Sequence, residues 1–83
     1  MFIHLGGDVM VSSKDVIAIF DLRMKEESEE TAKYLQKVEK NGKIVMIDPD
    51  DSKSFVVTND YIYYSPISSL TLKKRASYMD ELE

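Results

Sequence analysis

The residues with chemical potential in this chain are three aspartates close together, one histidine, a glycine pair and a short cationic run. In VMIDPDDSKSFVV (45–57), Asp48, Asp50 and Ser52 match the first three ligand positions of a helix–loop–helix calcium loop. The match then fails, because the sixth position, which needs glycine, is Lys53 and the twelfth, which needs glutamate, is Asn59. Asp48-Pro49-Asp50-Asp51 reads instead as turn chemistry, with proline fixing φ and aspartate accepting local backbone bonds. His4 stands alone among apolar neighbours in FIHL, which reads as a structural histidine and not a ligand or base. Gly6-Gly7 lacks the spacing, and the following helix, of a phosphate loop. The carboxylates gather in turns and helix starts, so no enzyme and no cofactor is expected.

The cations are Lys14 beside the Ser12-Ser13 turn, Lys53 before a strand, and the run Lys73-Lys74-Arg75. At about 100° per helical residue the three of the run fan over about 200°. A solvated helix face is the default reading of that run, and phosphate contact is the functional one. Tyr61, Tyr63 and Tyr64 offer stacking surfaces, although Tyr61 and Tyr63 share one strand face and suit a core or an interface. The net charge of −4 and the pI near 4.9 require any basic surface to be local.

The elements that must carry these groups are short. FIHL (2–5), Gly6-Gly7-Asp8 and VMV (9–11) read as a hairpin, and DVIAIFDL (15–22) as a strand. EESEETAKYLQKVEKNG turns helical, with Ser28 as cap, Glu29 and Glu30 in the first turn, and Asn41-Gly42 as the stop. KIVMI (43–47), SFVVT (54–58) and YIYYS (61–65) read as three more strands. ISSLTLKKRASYMDELE closes as a helix, capped by Ser68 or Ser69, with Leu72, Ala76, Met79 and Leu82 on one side. The expected fold is α+β: a single domain over residues 1–83, with a small, mainly antiparallel sheet of five to six short strands, one helix inserted mid-chain and one C-terminal helix. With no cysteine, no signal-peptide pattern and no long apolar run, the chain reads as soluble and cytoplasmic, with no membrane partner.

VIAIF, IVMI, FVV and YIYY do not alternate apolar with polar residues, so both sheet faces look apolar. Two helices cover part of one side. Each bare side chain forfeits roughly 1.5–3 kcal/mol, against a net stability of only ~5–15 kcal/mol for a domain. Self-association is therefore expected; the alternative is a monomer whose own elements sandwich the sheet.

MFIHLGGD, VSSKDVIAIFDL and SFVVTNDYIYYSPISSLTLKKRA together resemble the RemA/RemB family of small bacterial extracellular matrix regulatory proteins, on its RemB side. The likeness covers nearly the whole chain and is strongest at both ends. It implies a ring-forming homo-oligomer linked to transcription of biofilm-matrix genes. RemA-like members contact DNA phosphates through arginines after the VS turn and before the valine strand. Here those regions read Ser13-Lys14-Asp15 and Asp50-Asp51-Ser52-Lys53. Two arginine positions have become aspartates, which repel phosphates. The resemblance thus carries ring formation over to this chain, but not RemA-style wrapping of DNA. Direct binding to DNA would fall to Lys14, Lys53, Lys73, Lys74 and Arg75. The alternative is a protein partner, such as a RemA-like ring, drawn to Asp48, Asp50 and Asp51.

Overall fold

A computed structural model describes residues 1–82, with side chains described through residue 77. The elements in order are β1 (Phe2–Gly6), β2 (Val9–Ser12), a 3-10 turn (Ser13–Asp15), β3 (Val16–Asp21), α1 (Met24–Glu27), α2 (Glu29–Lys40), β4 (Ile44–Met46), β5 (Ser54–Thr58), β6 (Ile62–Ser65) and α3 (Ser69–Leu82). β1 and β2 pair antiparallel as a separate two-stranded sheet, and the other four strands line up as β3-β5-β6-β4. β3–β5 and β5–β6 are antiparallel, whereas β4 runs parallel to β6. The α+β expectation, mainly antiparallel, is met. β4 is parallel because α2 carries the chain from one sheet edge to the other, and a helical crossover returns the strand in its original direction.

The mid-chain helix starts at Glu29 behind its Ser28 cap, as expected, and a separate single helical turn, α1, precedes it. Ser28 adopts an extended backbone (φ −132, ψ 115), which ends the single turn of α1 and starts α2. Its Oγ accepts the Thr31 N–H at 3.2 Å, the cap expected of it. Gly42, at φ +70, supplies the stop. Ser68 caps α3 by accepting from Thr71 N at 3.2 Å. Leu72 is fully buried and Ala76 half-buried on its inner side, while the expected contributions of Met79 and Leu82 lie outside the described side chains.

Each face of the four-stranded sheet is covered by the chain itself. On one face Leu35 of α2 packs on Phe55, Ile62 and Tyr64, with Val38, Phe20 and Ile44 around them. On the other, Ile19 and Val56 meet Ile3, Leu5 and Val11 of the hairpin and Leu72 of α3. This corrects the premise that the helices leave one face bare. The N-terminal strands do not extend the sheet; they lie on it as a second layer. β5 is therefore buried on both sides, which is why Phe55-Val56-Val57 does not alternate.

Polar groups fasten the layers. Ser65 Oγ, fully buried, donates to Leu5 O at 2.6 Å and accepts from Ile67 N at 3.0 Å. Ser54 Oγ donates to Ile67 O at 2.7 Å. Gly6, at φ +117, passes so close to Pro66 that a Cβ there would sit 2.9 Å from the proline Cγ. Arg75 Nη1 donates to His4 O at 2.8 Å and ties α3 to β1. Large apolar side chains that remain exposed include Phe2 and Met10 on the hairpin, Ile17 on β3 and Met46 on β4. β3 and β4 are the two edges of the larger sheet.

Candidate interaction surfaces

β3, β5 and β6 share two ends. At one lie Asp21, Ser54 and Ser65; at the other lie Val16, Thr58 and Ile62. The five candidate cations do not converge. Lys14 projects from the 3-10 turn at the Thr58 end, and Lys53 enters β5 at the Ser54 end. The length of β3 separates those ends by about 17 Å. Lys73, Lys74 and Arg75 are exposed on α3. Arg75 also has a structural task, holding the His4 carbonyl, which sequence spacing does not reveal.

The Asp48–Asp51 segment is a hydrogen-bonded turn. Asp48 Oδ1 accepts from Asp50 N at 3.1 Å, and Asp48 O accepts from Asp51 N at 3.2 Å and from Ser52 Oγ at 3.2 Å. Asp48 is half-buried and spent on this turn, whereas Asp50 and Asp51 are exposed. Among the described residues no group of three His, Cys, Asp or Glu side chains could hold a metal ion. His4 Nε2 lies 2.7 Å from Gly7 O, so the ring serves the hairpin turn.

Two clefts gather residues that sequence spacing did not single out together. A cleft of about 400 Å³ opens at the Ser54 end, lined by Asp21, Arg23, Glu26, Ser52, Lys53 and the start of α3 at Ser68 and Ser69. Arg23 Nη2 and Nε both donate to the Asp21 carboxylate, at 2.8 and 3.2 Å to Oδ2. That side-chain bond, then the Arg23 backbone N–H, then the charges of Arg23 and Lys73, hold the Asp21 carboxyl down at about 2. The same pairing pushes the Arg23 guanidinium up. The Asp21-x-Arg23 spacing, an aspartate two residues before a donor, is the local signal that could have revealed this pair. The second cleft, of about 220 Å³, lies at the Thr58 end between the hairpin and β6. Phe2, Met10, Asp15, Asp60, Tyr61 and Tyr63 are among its walls.

The class defined by this geometry is a small α+β domain that presents charged and aromatic surface, with no helix among the described residues long and apolar enough to cross a membrane. The chain belongs to the RemA-like family, described as extracellular matrix regulatory protein A-like, whose profile matches residues 2–76. It is also 45% identical over 83 residues to the extracellular matrix regulatory protein B of Bacillus subtilis (strain 168), a match spanning 100% of this chain and 99% of that one.

Proposed function

We propose that this chain is a homo-oligomeric regulator of extracellular-matrix, or biofilm, gene expression. The observation that carries the reading is full-length kinship with a protein named as an extracellular matrix regulator. Self-association is supported by the two unpaired sheet edges, β3 and β4, each of which exposes a large apolar side chain, Ile17 and Met46. Free edges of this kind pair with other strands unless they are blocked. It is no longer supported by a bare sheet face.

In this reading the assembly touches DNA through phosphates alone, using Lys14, Lys53, Lys73, Lys74 and Arg75, with no base readout. The spread of these cations over both ends of the sheet makes each contact weak, and repetition through the assembly makes them effective. Gel retardation across a salt series tests this. Retention falls steeply with salt, and Lys73→Ala with Lys74→Ala lowers the log–log slope by about 1.8, at about 0.9 per phosphate contact. No retention at low salt overturns direct DNA contact. A lone subunit in light scattering at micromolar concentration overturns the homo-oligomer.

A second reading rests on Asp50 and Asp51, which stand exposed beside Lys53 where phosphates would be repelled. Here the regulator acts through a basic protein partner, of the RemA-like kind, steered by that loop. Capture of such a partner unchanged by Asp50→Lys with Asp51→Lys overturns it.

A further inference from the structure

The cleft at the Thr58 end has a chemistry that neither reading uses. Its charged walls are two carboxylates, Asp15 and Asp60, and its other walls include the Phe2, Tyr61 and Tyr63 rings and the Met10 side chain. Among the described residues the one ion pair is Asp21–Arg23, so no cation within salt-bridge distance satisfies either acid. Asp15 is oriented by its neighbour: Asn59 Nδ2 donates to Asp15 Oδ1 at 3.3 Å. The Tyr61 and Tyr63 rings meet edge to face, with centroids 6.3 Å apart. Lys43 Nζ stands 5.3 Å from the Tyr61 centroid, so the ring draws a cation of its own chain, which an incoming guanidinium must displace or stack opposite.

We infer that this cleft is a docking site for an arginine side chain presented by a protein partner. Unpaired carboxylates beside aromatic rings suit a planar guanidinium, which stacks on a ring while its edge donates to carboxylate oxygens; an ammonium does only the second well. A volume of about 220 Å³ suits one long side chain and not a whole helix. A second copy of the chain is a poor donor. It could offer only Arg23, paired to its own Asp21, or Arg75, which reaches the His4 carbonyl and is assigned to phosphate in the DNA reading. The site is separate from the Asp48–Asp51 turn, which lies toward the opposite end of the sheet. It also uses none of the five cations assigned to DNA.

The test is an NMR titration of the ¹⁵N-labelled full chain with a peptide of three arginines spaced by Gly-Ser. Lysine and citrulline versions of the peptide run beside it. Shifts concentrate on Asp15, Asp60, Tyr61 and Tyr63. The lysine peptide binds several-fold more weakly, and citrulline, of the same shape without charge, gives no saturable shift. Asp15→Asn with Asp60→Asn weakens the arginine peptide about tenfold, and Tyr61→Leu weakens it without changing the charge. The peptide series on the unaltered chain stands even if a variant fails to fold. Shifts centred on Asp48–Asp51, equal binding of citrulline, or affinity unchanged in the variants overturns the site. So does movement of the cleft resonances with protein concentration alone, which would assign the cleft to a second copy. Asp15→Asn with Asp60→Asn leaves gel retardation intact, so the two proposals fail separately.

Discussion

Replacing Ser65 by alanine tests whether the N-terminal hairpin is truly a second layer over the sheet. The register of β1 with β2 skips Leu5, between the pairs His4–Met10 and Gly6–Val9, so Leu5 is the bulged residue. Its carbonyl is satisfied from the other layer by the buried Ser65 hydroxyl at 2.6 Å. The same oxygen accepts the Ile67 N–H that starts the turn into α3. Alanine keeps the strand backbone and removes one oxygen, leaving a negligible cavity. The loss is then polar: about 1–3 kcal/mol for a buried acceptor left without a donor, plus about 0.5–1.5 kcal/mol for the partly buried N–H. A total of about 1.5–4.5 kcal/mol is expected, and each kcal/mol lowers the melting temperature of a domain this size by about 4–8 °C. Urea unfolding at one fixed protomer concentration measures it, because any self-association makes stability concentration-dependent. Amide exchange adds a local readout. The Ile3 and Val11 amides accelerate more than that of Leu35, which packs on the opposite face. A change below about 0.5 kcal/mol, the usual range of a surface substitution, refutes the reasoning: the hairpin would then not depend on the sheet for its carbonyl.

Two other perturbations follow from the same geometry. Gly6→Ala combines a φ of +117 with a Cβ 2.9 Å from Pro66 Cγ; it destabilises by more than about 1 kcal/mol, read as a lower urea midpoint, whereas Gly42→Ala meets no atom within 4 Å and loses only the backbone preference. The Asp21 carboxyl, held at about 2 against an ordinary 3.8, binds fewer protons folded than unfolded between those values; its contribution is present above about pH 4 and fades as pH falls through 2. Arg23→Ala returns the ¹³C-detected Asp21 midpoint toward 3.8, and a midpoint that stays near 2 sinks the assignment to Arg23.

The local elements were legible because each rests on neighbours in sequence. The hairpin at Gly6-Gly7, the Ser28 and Ser68 caps, the Gly42 stop and the Asp48–Asp51 turn all involve groups within a few residues of one another, and each forms where spacing places it. The single turn of α1 before Ser28 was the local exception, since a cap can end one helix as readily as it starts the next.

What the chain order could not convey was which layer each strand joins. VMV and FIHL carry the same alternation whether they extend the sheet or lie across it. The choice was decided by contacts across about 60 residues, Leu5 with Ser65 and Gly6 with Pro66, and it put a cover on a face that composition alone left bare. The clefts have the same origin. Asp15 meets Asp60, and Asp21 meets Lys53, only because β3 pairs with β5. Residue types determined that this chain would be a small α+β domain with scattered charge. Long-range pairing decided which of those charges meet, because the energy that seats the hairpin and α3 comes from side chains far apart in the sequence.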